Sequence, residues 1–212
     1  MYKLYYYPNN ASLAPHFLMH EMEVDFELVL VDRENNKQKT TEYLKLNPAG
    51  RIPTLIDDNM VLFESPAICI YLCEENPEKE LMPSLGSPNR AKFFQWLTFL
   101  NNTLQAELMI YYYPEKHTTN KNCISSIVEA QEERIAEALS ILNKELENKE
   151  YLLGEKITAC DFFLFMLALW SLKIKKSPLT FSNINPYLKK LAKHKTIQSV
   201  CKKEKIDLKI FN

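Results

Sequence analysis

Asn47-Pro48-Ala49-Gly50-Arg51-Ile52-Pro53-Thr54-Leu55, with Phe63-Glu64-Ser65-Pro66 closing the next apolar run, is the stretch that decides the fold. An Asn-Pro turn and the first glycine of the chain deliver the backbone into an apolar strand that begins beside a proline. Proline has no N–H for a ladder and belongs at a strand end or edge, and an Ile-Pro bond in a tight turn is a candidate for the cis form. A cis bond here turns the Ile52 N–H and C=O outward, away from sheet pairing. Glu64 and Ser65 stand at a predicted helix start, where a carboxylate, a hydroxyl and unpaired N–H groups meet. Together these groups suit a peptide-like ligand carrying an amino group and carboxylates.

Working outward, Lys3 to Tyr7 is a short aromatic run ended by Pro8 and predicts the first strand. Asn9 to Ser12 predicts a turn, with Ser12 as N-cap of a helix carrying Leu13, Phe17, Met19, His20 and Met22. Pro15 falls in the first turn of that helix, where proline is tolerated. Phe26 to Val31, rich in β-branched and aromatic residues, predicts a second strand. A polar, lysine-bearing loop follows from Asp32 to Thr41, and Glu42 to Leu46 allows one or two helical turns. Thr54 to Asp57 and Met60 to Phe63 flank Asp58-Asn59, which suits a tight hairpin. Ser65 to Glu75 then places Ile68, Tyr71 and Leu72 on one helical face and ends at Asn76-Pro77. The predicted order is βαβαββα with a mixed sheet, because a crossover makes parallel neighbours and a hairpin antiparallel ones.

Pro77 through Pro83, Gly86 and Pro88 carries prolines and charge without apolar period, the mark of a domain boundary. The expected division is a thioredoxin-like α/β domain over 1–77, a linker over 78–87 and an all-helical domain over 88–212. In that second domain Asn89 to Tyr113 repeats apolar residues at Phe93, Trp96, Leu97, Leu100, Leu104 and Leu108, and Pro114 stops it. Ile124 to Leu146 continues the pattern. Thr158-Ala159-Cys160-Asp161 reads as a capping box with Asp in place of Glu, opening an almost wholly apolar run from Phe162 to Leu172. A helix apolar all round must be buried on all sides. The last helices, around Asn185 to His194 and Thr196 to Lys203, are amphipathic and basic, and are expected to be structural.

Composition narrows the function. The 212 residues have 46% hydrophobic content and a formal charge of −1, from 26 basic against 27 acidic side chains. That balance supplies no electrostatic footprint for nucleic acid or for an anionic membrane. Met1 to Pro8 lacks the pattern of a secretory signal, and no run of about 18 apolar residues occurs, so a cytoplasmic protein is expected. Five scattered cysteines without a Cys-x-x-Cys predict reduced thiols. The one His pair at helical spacing, His16 and His20, lacks a third ligand, and no metal site is expected.

NPAGRIPTL followed by ESPAICIYL, and LLGEKITACDFFLF in the second half, resemble the glutathione transferase superfamily; the resemblance covers nearly the whole chain. The family's thioredoxin-like domain places a cis-proline and an acidic-serine pair around glutathione. The resemblance implies that the Ile52 backbone beside Pro53 meets the cysteinyl unit, and that Glu64 and Ser65 hold the γ-glutamyl end. Lys37, ahead of Lys39, meets the glycyl carboxylate. Each role fits the chemistry of its group.

The first forty residues, KLYYYPNNASLAPH in particular, look most like the bacterial beta class. That class has a cysteine where this chain has Ala11, so a mixed disulfide with glutathione at this position is excluded. A histidine-lysine pair of the class matches Gln105 and Ala106. Candidates for stabilising the glutathione thiolate are Ser12 and Tyr6, level with each other, and Asn10 behind them. Ser12 serves equally as an N-cap only, and Tyr6 as an inward core aromatic. The electrophile is expected against Tyr111, Tyr112, Tyr113 and the helix carrying Trp170, a cluster that serves equally as core. The leading expectation is a transferase joining glutathione to small apolar electrophiles, assembled as a homodimer. A non-catalytic interaction module of the stringent-starvation kind and a glutathione-dependent isomerase of the maleylacetoacetate type stand as alternatives.

Overall fold

Strand β1 (Tyr2–Tyr6) has one fully buried residue, Leu4, and that residue marks the centre of the sheet. Leu4 pairs in parallel register with Leu28 of β2 (Phe26–Leu30) and in antiparallel register with Leu55 of β3 (Thr54–Asp57). The hairpin from β3 to β4 (Met60–Phe63) turns at Asp58-Asn59, with Asp58 left-handed at φ 48°. In this computed structural model, which describes residues 1–211, the sheet order is β2-β1-β3-β4. Helix α1 (Leu13–Glu21) connects β1 to β2, α2 (Thr41–Leu46) precedes β3, and α3 (Ser65–Glu75) follows β4. The mixed βαβαββα order is the expected one.

Helices α1 and α3 pack on each other and bury Leu13, Phe17, Leu18, Ile68 and Leu72. A second cluster gathers Val31, Tyr43 and Ile52 with Tyr5 and Tyr7 packed against them. Alternation along β1 explains the split, since successive side chains of a strand point to opposite faces.

By packing, the chain divides into two compact units. One consists of Met1–Ser84 together with the segment from Ala192 onward; the other is Leu85–Leu191. Helix α9 (Lys195–Lys203) therefore belongs with the sheet, and it packs against α1.

The second unit opens with α4 (Pro88–Phe99), capped by the Ser87 hydroxyl, which accepts from the Asn89 N–H at 3.3 Å. A π-helical stretch, Leu100–Gln105, joins it to α5 (Ala106–Tyr112). The sequence predicts a single regular helix here, and the spacing of its apolar residues explains the difference. Leu100, Leu104 and Leu108 are each fully buried and four residues apart. An α-helix rotates about 40° too far with every such step, and wider π turns restore the alignment.

Helix α6 (Ile124–Glu145) runs beside α5. Helix α7 (Ala159–Ser171) is buried along nearly its whole length, Trp170 alone being partly exposed. The Thr158–Asp161 capping box closes its start. The Asp161 carboxylate does more than the box requires. Its Oδ2 accepts from the Thr158 N–H (2.7 Å) and hydroxyl (2.9 Å), and its Oδ1 accepts from the Leu152 N–H (2.8 Å) and the Tyr187 hydroxyl (2.7 Å). Burial pushes the Asp161 carboxyl up, against the pull of these donors. Helix α8 (Ile184–Ala192) supplies Tyr187. All five cysteines are free thiols, Cys123 alone being exposed. Among the described residues no helix is long and apolar enough to cross a membrane.

Candidate functional site

Three turns of the first unit carry the expected site residues. The loop into β3 is the best braced. Asn47, 2% exposed, donates from Nδ2 to the Arg51 carbonyl at 2.9 Å and accepts the Ala49 N–H at 3.0 Å. The Tyr43 hydroxyl donates to the same Arg51 carbonyl at 2.8 Å. That uses its single proton, so at 2.9 Å the Thr54 hydroxyl is the donor to Tyr43. Burial raises the Tyr43 phenol to about 12, which keeps it a donor. Gly50 is left-handed at φ 57°, and a Cβ there would stand 2.7 Å from Lys39 Nζ and 3.0 Å from the Gln38 carbonyl. Only glycine meets both conditions.

The Ile52-Pro53 peptide is cis. Between two carbonyls that are occupied, those of Arg51 and Pro53, the Ile52 N–H and C=O meet no partner among the described residues.

At the turn from β4 to α3, Glu64 holds φ 72° and ψ 112°, a backbone region that non-glycine residues occupy at a cost of about 1–3 kcal/mol. Its side chain does not cap α3. The carboxylate is exposed and meets no donor among the described residues. Ser65 is 3% exposed, and its hydroxyl donates to the Ala11 carbonyl at 2.6 Å. This bond ties the third turn to the first.

The first turn, between β1 and α1, corrects one expectation. Ser12 occupies the N-cap position, yet its hydroxyl makes no cap bond. It donates to the Tyr7 carbonyl at 3.1 Å and accepts from the Tyr7 N–H at 3.3 Å. The side chain faces back into the turn because Tyr7 has left the sheet there and its amide needs partners. Asn10 Oδ1 accepts from the Ala11 N–H at 2.7 Å. The Asn10 amide Nδ2 and the Ser12 N–H meet no acceptor among the described residues. Tyr6, at the end of β1, lies edge-on to His16 with centroids 6.2 Å apart, and its phenol is raised first by burial and then by Glu204.

Of the two lysines, Lys37 is exposed, and its backbone N–H donates to the Asp32 carbonyl at 2.9 Å. Lys39 instead donates from Nζ to the Ala49 carbonyl at 3.2 Å, at the base of the loop that carries Ile52.

The model described as the N-terminal domain of glutathione S-transferase matches residues 1–74, and that of its C-terminal domain matches residues 103–195. Among solved structures, a ternary complex of BphK, a bacterial glutathione transferase, is 30% identical with a TM-score of 0.84, over 96% of this chain and 99% of that one. The chain belongs to the glutathione S-transferase superfamily. Glutathione S-transferase GstA of Escherichia coli O157:H7 is 26% identical over 204 residues, 95% of this chain and 98% of the relative. A sphingomonad glutathione S-transferase solved in complex with glutathione is 28% identical, with a TM-score of 0.84, over 97% of this chain and 100% of that one.

Against that family background the second unit of this transferase-family chain has its own features. Gln105 ends the π-helical stretch, and its Oε1 is buried without a partner among the described residues. Ala106, which follows it, is exposed. The Tyr112 hydroxyl donates to the Trp170 carbonyl, which ties α5 to α7 within that unit. Among the described residues no group of three His, Cys, Asp or Glu side chains is arranged to hold a metal ion.

Sequence reasoning missed Tyr43 and Asn47 as braces of the loop and Glu204 as a partner of the first turn. An Asn two residues before Ala49 is an Asx-turn signal and was legible. Glu204 lies in a lysine-rich run and carries no local signal.

Proposed function

We propose that the protein is a glutathione transferase that binds reduced glutathione on these three turns, holds its sulfur as the thiolate and adds it to a small apolar electrophile. The observation that carries this reading is a set of polar groups left without partners on these three turns: the Ile52 N–H and C=O, the Glu64 carboxylate, and the Asn10 Nδ2 and Ser12 N–H. Each matches one part of the tripeptide. The Ile52 pair takes the backbone of the cysteinyl unit, Glu64 takes the ammonium, and the Ser65 end of α3 takes the γ-glutamyl carboxylate. Lys39, already seated at the loop, is the better placed partner for the glycyl carboxylate, with Lys37 the other.

A free thiol of pKa about 8.5 is only about 3% ionised at pH 7; lowering it to about 6.5 ionises roughly three quarters. The thiol proton leaves to solvent, the sulfur lone pair forms the C–S bond, and the electrophile's leaving group departs with its electron pair or, in an addition, the product takes up a proton. The Ser12 hydroxyl has given its one proton to Tyr7, so the role of thiolate donor passes to Asn10 Nδ2 and the Ser12 N–H, with the Tyr6 hydroxyl as alternative. Holding the two reactants together supplies the rest of the rate enhancement. A cytoplasmic homodimer is the assembly proposed.

A pH titration of ultraviolet thiolate absorbance with bound glutathione tests this reading. The bound thiol titrates well below the free one if the reading holds. An unshifted thiol on a protein that still binds the tripeptide favours the non-catalytic module instead, the reading to which Ala11 in the cysteine position points.

A further inference from the structure

The near-neutral total charge of the chain hides an uneven distribution. From Ala192 onward stand six lysines, Lys193, Lys195, Lys202, Lys203, Lys205 and Lys209, all exposed, against two acidic residues, Glu204 and Asp207. Glu204 does not offset them. Its side chain is fully buried, with Oε1 2.6 Å from His16 Nδ1 and Oε2 accepting from the Asn9 N–H at 2.9 Å. Only Asp207 stays among the lysines, where its Oδ1 accepts from the Lys209 N–H at 2.9 Å. Acids of α1, β2 and the turn between them have partners of their own: Glu21 accepts from the Thr196 hydroxyl, Glu23 pairs with Lys79 at 3.7 Å and Glu27 with Lys3 at 3.4 Å.

Helix α9 separates its residues by side. Thr196, Ile197, Val200 and Cys201 are buried, and the helix packs against α1; Lys195, Gln198, Ser199 and Lys202, three or four residues apart, are exposed on the other side. The apolar side is thus used within the unit, and α9 has none left for lying in a bilayer interface as a free amphipathic helix. The chain beyond α9 is pinned. The Ile206 N–H donates to the Cys201 carbonyl at 2.8 Å, and Phe211, 1% exposed, anchors the turn Lys209–Phe211 through its N–H to the Leu208 carbonyl at 3.0 Å. Its neighbour Ile210 is left 50% exposed beside Lys209.

We propose that the lysine side of α9 and the turn carrying Ile210 form a docking surface for an anionic lipid bilayer, held by charge and by one shallowly inserted apolar side chain. This inference does not depend on the glutathione site. Three observations choose the partner. No arginine follows Arg134, so the surface lacks the planar fork that pairs with carboxylates, and protein interfaces are depleted of lysine. Phe211 is the one Phe, Tyr or Trp ring from Ala192 onward and is buried, which leaves the surface no ring on which to stack the bases of a single-stranded nucleic acid. The exposed Ile210 gains nothing from a row of phosphates in water but does gain from the boundary between headgroups and acyl chains. Compact, flexible lysine charges suit a fluid array of phosphate headgroups, and such an attachment is reversible and sensitive to salt.

The test is co-sedimentation of the full chain with vesicles of phosphatidylcholine alone and of phosphatidylcholine with phosphatidylglycerol, beside a gel-shift titration with duplex DNA at the same salt. The wild-type protein binds the anionic vesicles and not the neutral ones, and raising salt from about 0.02 M to about 0.5 M releases it. Each lysine near an anionic surface is worth about a fivefold change in partition, so the triple variant Lys195→Gln, Lys202→Gln, Lys205→Gln binds roughly 100-fold more weakly. A control triple with the same loss of charge elsewhere, Lys92→Gln, Lys121→Gln, Lys144→Gln, changes binding by less than about threefold. Ile210→Ser weakens vesicle binding several-fold. Thermal midpoints recorded for every variant separate these losses from unfolding. Equal binding to neutral and anionic vesicles, no binding to either, or an equal loss in the two triples overturns the proposal. Binding to duplex DNA that is tighter than to vesicles and indifferent to Ile210→Ser overturns it too, and gives the surface to nucleic acid instead.

Discussion

The Tyr43 hydroxyl donates to the Arg51 carbonyl at 2.8 Å, so the residue just before Ile52 is held from α2 and not from the sheet. The loop that presents Ile52 is therefore positioned by this phenol together with the Asn47 side chain. Tyr43→Phe leaves the Thr54 hydroxyl without its acceptor and the Arg51 carbonyl with Asn47 alone. Urea unfolding should show a loss of about 1–2 kcal/mol, and glutathione affinity should fall several-fold at temperatures where the variant remains fully folded. Affinity unchanged in a destabilised variant would mean that Asn47 suffices to set the loop.

Glu64 separates binding from folding. Its carboxylate neither caps α3 nor meets a donor among the described residues. Glu64→Gln should leave the thermal midpoint within a degree or two and weaken glutathione by about 10- to 100-fold, the worth of a charge-assisted bond. Wild-type affinity in this variant would remove the γ-glutamyl assignment.

Ser12 and Asn10 are expected to behave in opposite ways. Ser12→Ala removes two bonds from a fully buried side chain to the Tyr7 backbone and should cost about 1–3 kcal/mol of stability, with little change in the bound thiol's pKa. Asn10→Ala should raise that pKa with a smaller loss of stability. If Ser12→Ala alone moves the thiol, the hydroxyl turns toward sulfur when glutathione binds, and the donor assignment reverses.

How far the sequence carried the account depends on how local each signal was. The Gly-Arg-Ile-Pro turn, the Asp58-Asn59 hairpin and the Thr158–Asp161 box each lie within a few residues, and each appears in the structure as a turn, a hairpin and a cap. Ser12 shows the limit of such signals. A serine before a helix has the same local pattern whether its hydroxyl caps the helix or turns back to Tyr7, and only the departure of Tyr7 from the sheet decides. The π-helical stretch was equally hidden, because Leu100, Leu104 and Leu108 fit a helical period loosely in either geometry. Glu204 pairs with Asn9 across 195 residues, a distance no local pattern spans.

Alkaline pH should unfold the protein through buried acids. Burial raises the Cys73 and Cys201 thiols from 9.0 to about 12 and the Tyr43 phenol from 10.0 to about 12. For an acid with a raised folded pKa, the unfolded chain ionises first. The stabilisation is whole below the unfolded pKa and is lost as pH climbs toward the folded one, at about 1.4 kcal/mol per pH unit for each such group. Urea midpoints should hold level from pH 7 to about pH 8.5 and fall steeply by pH 10.5. A midpoint flat across that range would show that these groups are hydrated in the folded state.

The central claim is that the unpartnered groups of the three turns make and hold a glutathione thiolate, and calorimetric titration with reduced glutathione and with S-methylglutathione at neutral pH tests it most directly. The account predicts that both bind and that only reduced glutathione releases a proton, seen as a heat that changes with the ionisation enthalpy of the buffer. Binding of neither, or binding of both with no proton released, would contradict it.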